Sequence, residues 1–181
     1  LDVSDCPSLI KLSCGIPSGE KGTLTSLKAS GCTALTELDY GNNPLISLDV
    51  SGCTSLTQLV CGSSWGERGA LTSLNASGCT ALKELQCQNN QLTSLDVSGC
   101  AALTQLDCGY NRLTSLDLSG CASLTELNCG YNQLTSLDLS HSSALIELNC
   151  YGNALTSLDL SKCLNLRYVD CSDNRIKGEA M

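Results

Sequence analysis

Fourteen cysteines, a recurring aspartate and a single histidine are the residues of this 181-residue chain whose chemistry could go beyond packing. The cysteines fall into two columns. Cys6, Cys32, Cys53, Cys79, Cys100, Cys121 and Cys163 form one, with Ser142 where an eighth would stand. Cys14, Cys61, Cys87, Cys108, Cys129, Cys150 and Cys171 form the other, interrupted by Tyr40. Such thiols could hold zinc, act as nucleophiles or pair as disulfides. Asp2, Asp49, Asp96, Asp117, Asp138 and Asp159, a row broken by Lys28 and Asn75, offer the oxygen ligands that calcium takes. His141 lies close in sequence to Asp138 and Ser142, the residue types of a hydrolytic triad.

Spacing argues against each of these chemistries. Zinc needs four ligands converging at about 2.3 Å, and a linear column spreads them. A nucleophilic cysteine needs a basic neighbour to lower its pKa, and leucines surround these. Pairing between columns within a coil would orphan Cys32 opposite Tyr40 and Cys150 opposite Ser142. Pairing along a column would join side chains that point the same way, a poor start for the S–S torsion. The cysteines therefore read as buried free thiols, small apolar fillers typified by Cys87, Cys108 and Cys129. The aspartate row reads as solvated, partly satisfied by neighbouring Thr and Ser hydroxyls, and the chain lacks the glycine–aspartate nonapeptide of calcium-binding solenoids. A triad drawn from one tight turn cannot converge, and the glycines mark turns rather than a phosphate loop. The expectation is no enzyme, no metal and no cofactor.

The elements that place these columns come from a repeat. From Leu103 the chain reads LTQLDCGYNRLTSLDLSGCAS, and the phrase returns at Leu124 and Leu145, a period of 21. Other copies start at Leu9, Leu35, Leu56, Leu82 and Leu166, and those at Leu9 and Leu56 carry five extra residues after Cys14 and Cys61. LxxLxC is an extended segment whose alternate side chains turn inward, and LxxLDL says the same phrase again. Each coil thus has two short extended segments, one on each side. Stacked at the inter-strand spacing of about 4.8 Å, they form parallel ladders. A third column, Asn43, Asn90, Asn111, Asn132, Asn153 and Asn174, sits at turns, where an inward amide can bond the backbone of its own coil and the next. It is missing from the two longer units.

The phrase LxxLxCxxNxL resembles the leucine-rich-repeat signature with cysteine at the third apolar position. The nested 21-residue form is similar to bacterial surface proteins of Bacteroides type and to the cysteine-ladder internalins of Listeria. The resemblance implies a leucine-rich-repeat solenoid of the α/β horseshoe class with about eight coils of 21 to 26 residues. A parallel β ladder would line the concave side, short extended segments the other, with little or no helix. It also implies a secreted or cell-surface location. Residues 1–181 form one repeat domain, a piece of a longer protein, with 175–181 beginning a cap or linker.

Composition agrees. The chain has no Phe, one Trp and one Met, so leucine must supply the core. Ten basic residues against 18 acidic ones, a net charge of −8, disfavour nucleic acid and anionic membrane surfaces. No apolar run approaches a membrane span.

Outward positions that escape the repeat are where a partner would sit. Before the second leucine stand Lys11, Glu37, Gln58, Glu84, Gln105, Glu126, Glu147 and Tyr168, and after it Ser13, Asp39, Val60, Gln86, Asp107, Asn128, Asn149 and Asp170. This face is acidic and amide-rich. Tyr110, Tyr131 and Tyr151 lie at its rim, where tyrosine adds contact area at low entropy cost. The insertions, GIPSGEKG and GSSWGERG, should project side by side and would offer Glu20, Lys21, Trp65, Glu67 and Arg68. The reading is a non-enzymatic module that recognises a protein, glycoprotein or glycan. A spacer that presents another domain, or a scaffold for a partner from the same cell, is the alternative that the regular Thr-Ser-Asp face favours.

Overall fold

The computed structural model describes residues 1–4, 6–17, 20, 22–63 and 68–177. Each coil has about twenty residues in which to travel out, turn, return and turn again, so its strands are only three residues long. They are β1 (Lys11–Ser13), β2 (Glu37–Asp39), β3 (Ser47–Asp49), β4 (Gln58–Val60), β5 (Ser73–Asn75), β6 (Glu84–Gln86), β7 (Gln105–Asp107), β8 (Glu126–Asn128), β9 (Glu147–Asn149) and β10 (Tyr168–Asp170). No helix occurs among the described residues. Eight strands form one parallel sheet in the order β1-β2-β4-β6-β7-β8-β9-β10, one strand per coil. The register is unbroken, with Leu85, Leu106, Leu127 and Leu148 opposite one another.

The period of two explains the burial. The central leucine of each strand points inward and its neighbours point out, so Leu59, Leu85 and Leu148 are fully buried between partly exposed flanks. Leu103, Leu113 and Leu124 fill the rest of the same column of core. Each fully buried leucine contributes about 1.5–3 kcal/mol, and the coils can bury them only by stacking.

The second, opposite ladder is shorter. Only β3 and β5 pair there as strands, extended by single bridges between Asp2 and Lys28, Lys28 and Asp49, and Asn75 and Asp96. Beyond Asp96 the back segments run extended without pairing.

Candidate functional site

The front ladder carries a hollow of about 440 Å³, open to solvent and spanning β6 to β10. Its outer row is Glu84, Gln105, Glu126, Glu147 and Tyr168, and its inner row is Gln86, Asp107, Asn128 and Asn149. Four of the residues expected to bind, Glu84, Glu126, Glu147 and Tyr168, are thereby brought to one surface. The two rows differ in how much of their polarity is already used. In the inner row, Asp107 accepts the Gly109 N–H at 3.1 Å and an Asn128 amide at 3.0 Å. Asn128 caps Gly130 N–H, and Asn149 caps Tyr151 N–H. These side chains hold the turn that follows each strand. Burial nonetheless pushes the Asp107 carboxyl up from its ordinary value, against the two hydrogen bonds that pull it down.

In the outer row, Glu84 is held by Gln58 at 2.8 Å and by Gln86. Glu126 and Glu147 are exposed and stand directly opposite each other in adjacent strands. No described Lys or Arg lines the hollow. Like charges in register across a ladder repel, so this pair costs stability that a cation would restore.

The turn after β2, β6, β7, β8, β9 and β10 passes through one left-handed residue. Asn42, Asn89, Tyr110, Tyr131, Gly152 and Asp173 all have φ between 51 and 67°. Asn, Asp and Gly take this conformation cheaply, whereas a bulky side chain costs roughly 1–2 kcal/mol. Tyr110 and Tyr131 are therefore strained, and their rings stack with centroids 4.3 Å apart at 22°. The third ring is supplied differently. Tyr151 sits one position earlier, 4.9 Å from Tyr131 at 52°, and Gly152 takes the left-handed place. A Cβ at Gly152 would lie 3.1 Å from the Tyr131 ring, so the glycine makes room for it. The three rings form a ridge on the turns just past the inner row, two of which Asn128 and Asn149 cap. The Tyr151 hydroxyl is pushed up, first by its hydrogen bond and charge coupling with Tyr131 and then by Asp173 and Asp170. Nothing in the sequence marks the left-handed strain except tyrosine at the position where Asn42 and Asn89 stand elsewhere.

Glu20 and Arg68, one from each insertion, line a single hollow of about 220 Å³ with Asn42, Asn43, Pro44 and Ser63. The two insertions thus border one hollow across the coil between them. Lys21, Trp65 and Glu67 lie outside the described residues. The residues that close both insertions have a structural reason: a Cβ at Gly22 or Gly69 would come within 2.1 Å of the Asn43 or Asn90 side-chain oxygen.

The remaining columns are structural. Asn111 donates to the Cys87 carbonyl of the preceding coil and to Cys108 of its own, both at 3.0 Å, and accepts the Leu92 N–H at 3.0 Å. Asn90 and Asn132 repeat the pattern. The reach is to the preceding coil, not the following one, for donation and acceptance alike. All fourteen cysteines are free. The first column is more than filler: the Cys32, Cys53 and Cys79 thiols donate to the Val3, Ala29 and Val50 carbonyls at 3.1–3.3 Å. In the second column burial drives the thiol pKa of Cys61 up to about 12 and that of Cys87, Cys108 and Cys129 upward as well. The aspartate row caps turns. Asp49, Asp96, Asp117, Asp138 and Asp159 each accept the N–H of the serine two residues on, and serine hydroxyls add to this, as Ser98 does to Asp96 at 2.7 Å. Among the described residues no three His, Cys, Asp or Glu side chains are grouped to hold a metal ion.

Comparison with known proteins finds the same architecture elsewhere. Leucine Rich repeats (2 copies) match residues 80–119 and 101–141. The functional domain of InlJ from Listeria monocytogenes, which includes a cysteine ladder, matches at TM-score 0.85 and 38% identity over 98% of this chain. The chain is a leucine-rich-repeat solenoid similar to the internalins. It spans only 38% of the InlJ chain. YopM from Yersinia enterocolitica matches at TM-score 0.69 and 27% identity over 94% of this chain and 35% of that one. Internalin C2 of Listeria monocytogenes, at TM-score 0.65 and 23% identity over 90% of this chain and 73% of that one, shares the fold. No curated protein sequence matches.

Within this leucine-rich-repeat frame, two substitutions leave polar atoms buried. The Ser142 hydroxyl, where the first column would have a thiol, lacks a hydrogen-bond partner. Tyr40 fills the gap in the second column, its hydroxyl buried against the Cys61 thiol, which is a weak partner.

Proposed function

We propose that this repeat protein is a non-enzymatic recognition module of a surface or secreted protein, and that it holds a partner protein on its concave ladder face. One observation carries the reading: the hollow over β6–β10 is lined by outward residues that change from coil to coil, while the core beneath them repeats. A face that varies over an invariant frame is how a solenoid encodes a specific partner. The insertions that carry Glu20, Lys21, Trp65, Glu67 and Arg68 would supply a second contact area, and Glu20 and Arg68 already line one hollow there. The regular Ser and Asp columns of the back face favour the spacer reading, in which the coils only present another domain.

The test is a binding screen of the purified chain against mucins, matrix proteins and a glycan panel. Three variants run in parallel: Glu126→Arg with Glu147→Arg on the front, Ser115→Arg with Ser136→Arg on the back, and Trp65→Ala. A ligand lost with the front pair and kept with the back pair supports the reading. A ligand lost only with the back pair refutes it, and a blank across the panel moves the balance to the spacer.

A further inference from the structure

The ridge of Tyr110, Tyr131 and Tyr151 is built at a cost that the repeat does not require. At the same turn, the repeat elsewhere uses Asn42, Asn89 and Asp173, all at home in the left-handed conformation. Two consecutive tyrosines accept the strain, and the third coil keeps the row of rings by moving its tyrosine one place and opening space with Gly152. The rings are locked by one another, so little side-chain freedom remains to be lost on contact. Tyr131 is 44% exposed despite the stacking.

The surroundings of the ridge specify what would lie on it. On the side of the hollow are Glu126 and Glu147, opposed in register, and Tyr168 continues their row directly after Glu147. At the far end stand Asp170 and Asp173. The amides and carboxylate of the inner row are engaged in holding turns, so they are poor partners for sugar hydroxyls. What remains available is the Glu126–Glu147 carboxylate pair at the start of the strands and the Asp170 and Asp173 carboxylates acting on Tyr151, with aromatic surface past the turn, groups that an extended segment carrying guanidinium or ammonium could engage together.

We propose that the tyrosine ridge and the Glu126–Glu147–Tyr168 row together form the anchoring subsite of this face, and that the occupant is a basic segment of a partner protein, rich in arginine. The inference rests on the concave-face reading. Carboxylates neutralise the cations, the in-register repulsion of Glu126 and Glu147 is relieved on binding, and the rings cover the guanidinium planes.

The experiment uses the intact chain and a fluorescent hexa-arginine peptide, with a hexaglutamine peptide as the neutral probe, titrated at about 50 and 200 mM salt. Tyr110→Asn with Tyr131→Asn removes the rings and installs the residue native to this turn. Glu126→Gln with Glu147→Gln removes the charges. Asp117→Asn with Asp138→Asn removes equal charge from the back and keeps the turn caps, as Asn75 does. The first two pairs should each weaken hexa-arginine binding about tenfold and the third less than about twofold. The tyrosine variant should melt no lower than wild type, which separates lost contact from lost fold. Equal weakening by all three pairs, or wild-type binding by the tyrosine variant, overturns the proposal. So does a neutral glycan that binds the ridge without salt dependence. A screened protein ligand blocked by Glu126→Arg and Glu147→Arg but indifferent to the tyrosine pair refutes the ridge alone and leaves the concave-face reading standing.

Discussion

Replacing Asn111 with alanine should cost about as much as truncating a buried leucine of this solenoid, and the structure allows the amount to be worked out. The side chain is buried, 6% exposed. It donates to the Cys87 and Cys108 carbonyls and accepts the Leu92 N–H. Removing it orphans one buried N–H, worth about 1–3 kcal/mol, and takes one bond from each of two carbonyls, about 0.5–1.5 kcal/mol apiece. The sum is roughly 2–6 kcal/mol, a large part of the ~5–15 kcal/mol that stabilises an ordinary domain. Because the lost bonds join one coil to its predecessor, the break falls on a nearest-neighbour interface in the middle of the array. Urea denaturation is the assay. With m near 2 kcal/mol/M the midpoint should fall by about 1–3 M. Asn174→Ala makes a graded control, since its side chain is only part-buried at the last coil and water can replace it. A loss below about 1 kcal/mol for Asn111→Ala at unchanged m, or equal losses at 111 and 174, would refute the reasoning.

Three further outcomes are expected. Asp107→Asn should raise the thermal midpoint at neutral pH, because burial lifts the folded carboxyl pKa and so penalises its ionised form. The gap should open as pH rises through that folded pKa and vanish below the carboxylate range, where wild-type Asp107 is also neutral; a constant gap would assign the effect to packing. Iodoacetamide at about pH 8, read by peptide mass spectrometry, should label exposed Cys6 first, then half-buried Cys14 and Cys171. Buried Cys61 and Cys79, both pushed to about 12, should react only in denaturant, and early labelling of either would show that the coils open locally. Tyr40→Phe should leave the melting point unchanged or raise it by the equivalent of roughly 1 kcal/mol, since its buried hydroxyl lacks a strong partner. A clear fall would show that the hydroxyl is paired.

The fold was legible because the repeat states it eight times. Leu106, Cys108 and Asn111 each recur at fixed offsets, and periodicity converts directly into inward columns and a parallel register. The face of the hollow was legible for the same reason, as Glu84, Glu126, Glu147 and Tyr168 are the outward positions left over. What periodicity could not reveal is how polar groups are spent. Asp107 and Asn128 look like ligand residues in sequence and are turn caps in the fold, a distinction set by backbone direction after the strand. The thiol donations of Cys32, Cys53 and Cys79 were equally hidden, since they depend on a carbonyl of the preceding coil, 24 to 29 residues away in sequence. The strain of Tyr110 and Tyr131 becomes visible only when φ is known.

The end of the back ladder has a cause that ties these levels together. Pairing runs through Asp2, Lys28, Asp49, Asn75 and Asp96 and stops before Asp117. The inward residue that follows each of these is Val3, Ala29, Val50, Ala76 and Val97 where pairing holds, and Leu118, Leu139 and Leu160 where it does not. Leu118 and Leu139 are buried, so their extra volume is accommodated inside the back of the coil. A short or β-branched side chain lets neighbouring back segments approach to strand spacing, whereas leucine holds them apart. The front sheet keeps its register throughout, so the change is confined to the back of the coils. The hollow lies over β6–β10, where Val97 gives way to Leu118, Leu139 and Leu160. The coils whose back carries leucine in place of valine or alanine are thus the ones that bear most of the hollow on their front, and Tyr110, Tyr131 and Tyr151 belong to the same three coils as Leu118, Leu139 and Leu160.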